Sequence, residues 1–219
     1  MAVGKFITFE GGEGSGKSTQ ARRLADQLWK VGIHTMVTRE PGGSPFAEAL
    51  RKVILDPEMP PHSALSEALL FYSARADHLD KTIRPALNEG LWVICDRFSD
   101  STRVYQSEAG GLPREVIDIL DEMVVAPTTP DLTLILDLPA ELGLGRALGR
   151  RVHGSNPDTE ADAYEKRDLA FHWRLREAFT AIARAEPKRC VLIDATTDES
   201  NVFAAVWQAV QSRLLVGAR

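Results

Sequence analysis

Apolar positions along the chain recur with two different periods, and the two alternate. Short β-branched runs predict strands at Lys5–Glu10, His34–Thr38, Leu91–Cys95, Leu132–Leu138 and Cys190–Asp194. Leu91–Cys95, Leu132–Leu138 and Cys190–Asp194 are apolar nearly throughout, as expected of strands covered on both faces. Helical periodicity marks Gly16–Val31, where Ala21, Leu24, Ala25 and Leu28 fall at i, i+3, i+4 and i+7 and Gly32 supplies the stop. Further helices are predicted near Pro45–Leu55, Ser66–Asn88, Pro113–Val124, Glu141–Arg150, Tyr164–Ala185 and Glu199–Leu215, with Pro85 expected to kink the second of these. Strands separated by helices need crossover connections, so the pattern predicts a doubly wound α/β fold: a five-stranded parallel sheet with helices on both faces. One segment breaks the rhythm. Arg150–Ala163 is polar and carries Gly and Pro without apolar period; it reads either as a solvated connection or as a lid at about 146–163, with Arg146, Arg150 and Arg151 at its entrance.

Length and composition narrow the class. A chain of 219 residues with 44% hydrophobic and 26% charged residues is expected to form one globular domain, 1–219. Its formal charge of −5 disfavours general nucleic-acid binding, and no run is long and apolar enough for a bilayer span. The N-terminus passes directly into a strand pattern without a signal-peptide core. Cys95 and Cys190, each inside an apolar run, are expected as buried, reduced thiols of a cytoplasmic protein.

The chemistry enters at Gly11-Gly12-Glu13-Gly14-Ser15-Gly16-Lys17-Ser18, followed by Thr19, which fits G-x-x-x-x-G-K-[ST] between a strand and a helix. Glycines let backbone N–H groups turn around phosphate oxygens, and the helix N-terminus adds partial positive charge. Lys17 is expected to reach the β- and γ-phosphates of a nucleoside triphosphate, and the Ser18 hydroxyl can ligate Mg²⁺. The guanine-reading N-K-x-D and the L-S-G-G-Q of transport ATPases are both absent, which leaves a compact small-molecule kinase. Asp96-Arg97-Phe98 follows an apolar strand, at the end where doubly wound proteins bind ligands. Asp96 suits Mg²⁺ held through water, and Arg97 suits an anionic acceptor.

The segments Phe9–Thr19, Thr38–Gly43 (TREPGG), Leu69–Leu79 (LLFYSARADHL), Asp96–Gln106 (DRFSDSTRVYQ), Pro130–Pro139 and Val191–Ala195 together resemble the thymidylate kinase family, in family order across nearly the whole chain. The resemblance implies phosphoryl transfer from ATP to dTMP and a homodimer. It also implies roles by position. Phe71 stacks on the thymine, Arg75 bonds its carbonyl, and Thr102 and Gln106 meet the base edge. Tyr105 lies under the sugar, Glu13 near the 3′-hydroxyl, and Arg39, Arg51 and Arg97 surround the acceptor phosphate. From the residues alone, Phe71 also reads as core, Arg39 as a loop cation and Arg51 as a solvated helix position. His78 is expected on a helix surface. Because Gly12–Ser15 contains no arginine, the chain resembles the subclass whose catalytic arginine comes from the lid, here Arg150 or Arg151, with Arg146 on the ATP side. Three features depart from the family pattern: Asp162-Ala163-Tyr164-Glu165 where D-R-F-E is usual, a longer lid, and Ser107-Glu108-Ala109-Gly110-Gly111 after Y-Q. A deoxynucleoside kinase, another small-molecule kinase with this loop and a nucleotide-dependent switch are the rival readings.

Overall fold

A computed structural model describes residues 4–153 and 163–215, the side chains of 150–153 excepted. Five parallel strands form one sheet: β1 (Phe6–Glu10), β2 (Thr35–Arg39), β3 (Trp92–Asp96), β4 (Leu132–Asp137) and β5 (Cys190–Asp194), in the order β2-β3-β1-β4-β5. Every residue of β1 is buried, whereas the edge strands β2 and β5 alternate between covered and exposed positions. β3 and β4 are covered on both faces as their apolar runs predict, but Cys190–Asp194 is not: β5 is an edge strand, with Leu192 exposed on its open face. Side chains divide by the two-residue period of a strand. Ile7, Phe9, Ile94, Leu134 and Leu136 enter a core with Leu24, Leu28 and Val206, while Phe6, Val93 and Cys95 enter another with Tyr72, Ile83 and Ile117. Thr8 and Thr133, adjacent in the register, share a buried 2.8 Å hydroxyl–hydroxyl bond.

Helices cover both faces. They are α1 (Lys17–Lys30), α2 (Pro45–Ile54), α3 (Ala64–His78), α4 (Arg84–Asn88), α5 (Ser99–Thr102), α6 (Arg114–Leu120), α7 (Ala140–His153), α8 (Leu169–Ala185) and α9 (Glu199–Val210). The predicted stop of α1 is realised: Gly32 has φ +83°, and the N–H of Gly32 and Ile33 return to the carbonyls of Trp29 and Leu28. The expected kink at Pro85 takes the form of a wide π turn at Leu79–Ile83 joining α3 to α4. Proline donates no N–H to the carbonyl four residues back and its ring crowds it, so the turn before it opens.

Three boundaries depart from the sequence pattern. Tyr164 does not begin a helix; α8 starts at Leu169, because the Asp168 carboxylate accepts the Phe171 N–H at 2.7 Å and caps it there. The helix entering the polar segment continues to His153 rather than stopping at Arg150. Finally, α5 and the wide-turn segment Arg103–Glu108 form a helix over residues that show no apolar period. Of the segment read as a lid, 154–162 lie outside the described residues.

Candidate active site

The phosphate loop, which connects β1 to α1, is shaped by its neighbours as much as by its own glycines. Gly14 has φ +67°, and a Cβ built there would sit 2.0 Å from the carbonyl oxygen of Gly143 in α7. Gly143 in turn admits no side chain, since its Cβ would meet the Glu13 carbonyl at 2.3 Å. Two glycine backbones therefore touch, and that contact fixes the loop against α7. The Lys17 ammonium folds back on the loop, donating to the carbonyls of Gly11 (3.1 Å) and Gly12 (2.7 Å) and to Ser15 Oγ (3.3 Å). Burial, and then repulsion from Arg97, lowers its pKa to about 8.

Because β3 pairs with β1, Phe9 lies opposite Asp96 and the two strand ends meet. Ser18 Oγ donates to Asp96 Oδ2 in a short hydrogen bond. A hydroxyl and a carboxylate so placed are hard oxygen donors, and as a donor set they would suit Mg²⁺. Arg97 adopts φ +69°, the left-handed region, which costs an L-residue about 1–2 kcal/mol. Its N–H donates to the Phe9 carbonyl at 2.9 Å, and the Cys95 thiol donates to its carbonyl at 3.0 Å. The turn sends the guanidinium back over the phosphate loop, where Nη2 donates to Glu13 Oε1 (2.6 Å) and Nη1 to the Gly11 carbonyl (3.1 Å). Tyr105 donates its hydroxyl to the same Glu13 oxygen at 2.9 Å, and the guanidinium carbon stands 5.1 Å from the Tyr105 ring centroid. Burial works against the charge of Glu13, but Arg97, Lys17 and the Tyr105 hydroxyl outweigh it and hold the carboxyl at about 2.

A cavity of about 420 Å³ opens from this loop. That is a volume suited to a small ligand. Around it stand Gly14, Gly16, Lys17, Ser18 and Thr19 at one end, Arg39, Arg51, Asp96 and Arg97 between, and Phe71, Thr102, Tyr105 and Gln106 at the other. Phe71 belongs to the cavity wall, not only to the core. Arg39 is exposed and held by Glu48 at 3.1 Å, while Arg51 Nη1 donates to the Pro41 carbonyl at 2.6 Å. Arg75 lies behind the wall, 1% exposed. Its Nε donates to Glu40 Oε2 (2.8 Å) and Nη2 to Thr102 Oγ1 (3.0 Å), and Nη1 has no protein partner.

His78 corrects an expectation: it is fully buried, not on a helix surface. Its ring bridges Glu40 Oε1 (3.1 Å) and Thr38 Oγ1 (2.8 Å), because α3 packs this face over the β2 loop. Arg146 stands apart from the cavity, its Nη1 donating to the Ala195 carbonyl just after β5. The side chains of Arg150 and Arg151, in the last turn of α7, lie outside the described residues. Both cysteines are buried and free.

Four acidic or aromatic residues were not assigned from sequence. Glu10, the buried end of β1, accepts the N–H of Phe98 (2.8 Å) and Ser101 (3.2 Å) and the Ser101 hydroxyl (2.6 Å). It thereby secures the turn that holds Arg97. Burial, reinforced by Asp100, raises its pKa to about 7. Glu40 sits within TREPGG and anchors Arg75. Tyr164 closes the cavity over Phe71 and Tyr105, with ring centroids at 6.2 and 5.2 Å. Glu67 grips Gln106 from α3. A charged residue ending a buried apolar strand was the available signal for Glu10; nothing marked Glu67.

The family model described as thymidylate kinase matches residues 9–206. The chain belongs to the thymidylate kinase family. Among similar relatives, thymidylate kinase of Caulobacter vibrioides is 51% identical over 98% of this chain and 99% of its own, and that of Nitrobacter winogradskyi is 50% identical over 97% and 90%. The crystal structure of thymidylate kinase from Ehrlichia chaffeensis superposes with a TM-score of 0.75 at 33% identity, covering 95% of this chain and 99% of that one. The five-stranded parallel sheet is thus that of the thymidylate kinase fold. Among the described residues no helix is long and apolar enough to cross a membrane.

Proposed function

We propose that this chain transfers the γ-phosphoryl group of ATP to dTMP, giving ADP and dTDP. The observation that carries the reading is a single cavity with a phosphate-binding loop at one end, an aromatic and amide-lined slot at the other, and arginines between. A triphosphate tail and a nucleoside monophosphate fit it end to end. Both are polyanions, so an acidic chain needs concentrated local positive charge, which Lys17, Arg39, Arg51 and Arg97 supply.

Lys17 is assigned to the outer phosphates, for which it exchanges the loop carbonyls that it now contacts. Thr19 and the N–H groups of Gly11–Lys17 cradle the donor. Ser18 and Asp96 are assigned to Mg²⁺, which when bound neutralises charge on the donor phosphates. Arg97, with Arg39 and Arg51, orients the acceptor phosphate, already ionised at neutral pH, so that no strong base is required. Phe71 stacks on the base, and Arg75, Thr102 and Gln106 read its edge. Glu13 and Tyr105 meet the sugar. Arg146, tied beside β5 and outside the cavity lining, is assigned to the donor side on the family resemblance alone. Arg150 or Arg151 is assigned to the transferring phosphoryl, a contribution worth ~10³–10⁵ in rate for related transfers. We further assign the chain to the cytoplasm, as one kinase domain with small-molecule substrates and no nucleic acid or membrane partner.

A homodimer completes the reading. Its support is the family resemblance together with an exposed apolar stripe of Phe46 and Val53 on α2 and Leu65 and Leu69 on α3.

The test is product identification after incubation with Mg²⁺-ATP and a panel of nucleosides and monophosphates. The expected products are ADP and dTDP, with Lys17→Ala inactive; preferential phosphorylation of thymidine to dTMP would return the deoxynucleoside kinase reading.

A further inference from the structure

Gln106 is less than fully satisfied, and the shortfall has a direction. Its Nε2 donates to Glu67 Oε2 at 3.0 Å and to Tyr164 Oη at 3.2 Å, while its Oε1 is buried with no protein partner. An amide has two ends of opposite polarity, and a carboxylate only accepts. Glu67 therefore dictates which end of Gln106 is turned towards it. The Tyr164 hydroxyl, which also bonds Glu67, takes the remaining amide hydrogen. This second tie needs the phenolic hydroxyl of Tyr164, which a phenylalanine would lack.

On the neighbouring turn Thr102 receives Arg75 Nη2, and Arg75 Nη1 is a donor without a partner. Both atoms are buried, Gln106 in the cavity wall and Arg75 behind it, so the wall holds one unpaired acceptor and, behind Thr102, one unpaired donor, on side chains linked through residues 102 and 106 of the same helix. A 4-oxopyrimidine with an imide N–H presents the complementary pair, an acceptor beside a donor. Cytosine presents the reverse, an amino donor beside a ring acceptor.

We propose that Glu67 is a specificity-determining positioning residue, which fixes the polarity of the Gln106 amide so that the acceptor slot takes thymine or uracil and rejects cytosine. Glu67 does so through Gln106 and makes no contact with substrate. The inference rests on the pyrimidine-nucleotide acceptor assigned above, and its test separates the two. Steady-state kinetics with dTMP, dUMP and dCMP are measured for the wild type, Glu67→Gln and Glu67→Ala, alongside melting temperature and KM for ATP. Glutamine at 67 can donate as well as accept, and alanine leaves the amide held by the Tyr164 hydroxyl alone, which can itself donate or accept.

The wild type is expected to favour dTMP over dCMP by ~10⁴-fold in kcat/KM, as sites built around a substrate hydrogen bond do. Either variant is expected to lower that ratio by about 10- to 100-fold, the worth of one charge-assisted bond, at unchanged KM for ATP. A purely structural role would weaken dTMP and dCMP use together and leave the ratio alone, which would overturn the proposal. If neither variant folds, wild-type affinity for dCMP within tenfold of that for dTMP would overturn it as well. Failure of the wild type to phosphorylate dTMP would instead remove the function on which the proposal stands.

Discussion

Arg97 joins the acceptor site to the phosphate loop through a backbone conformation that no side chain but glycine adopts freely. The conformation is maintained by the Phe9 carbonyl and, one turn on, by Glu10. Arg97→Ala is expected to raise KM for dTMP and lower kcat at least tenfold, while ATP affinity, measured by calorimetry, changes little. Tyr105→Ala removes the ring under the sugar and frees one Glu13 bond; detectable phosphorylation of UMP is the expected result, read by product chromatography. Glu13 also sets an acid limit on stability. Its folded pKa of about 2 lies below the ordinary 4.5, so its contribution is complete above pH 4.5 and is lost as pH falls towards 2. Urea melts between pH 6 and 3 should therefore show a loss of about 2 kcal/mol that is absent in Glu13→Gln.

At the level of elements, the contact between Gly14 and Gly143 makes the first turn of α7 part of the phosphate loop. Gly143→Ala is expected to destabilise the fold by about 1–3 kcal/mol and to reduce kcat/KM for ATP at least tenfold. Gly145→Ala, whose Cβ meets nothing within 4 Å, should be neutral or slightly stabilising in the same melts. The elements legible in the sequence were those whose burial is uniform or strictly periodic. β3 and β4 showed themselves as apolar runs, and α1 showed itself by its stripe and its glycine stop. The helix over Ser99–Glu108 stayed hidden because its polar residues are satisfied from elsewhere, by Glu10 at the end of β1 and by Arg189 on Asp100. The site divides in the same way. The phosphate loop was legible because its chemistry lies in one contiguous stretch. Glu40 with His78, and Glu67 with Gln106, were not, since each pair joins residues that only the packing of α3 brings together. That packing also placed His78 in the interior, against the expectation drawn from its position in a helix.

For the whole molecule, the apolar stripe on α2 and α3 predicts association. Sedimentation at micromolar concentration should give twice the 24.1 kDa chain mass, and charged residues in place of Phe46 and Leu69 should yield monomers that retain the fold by circular dichroism. The sheet order has a different reach. β1 begins at Phe6 yet lies between β3 and β4, and its first N–H is satisfied by Asp131, 125 residues along the chain. During synthesis on the ribosome, the strand that presents the phosphate loop lacks one flank until Asp137 has left the exit tunnel. Nucleotide can therefore stabilise only a polypeptide already made past β4, and the earliest-made part of the site waits on that much later strand before it can hold its ligand.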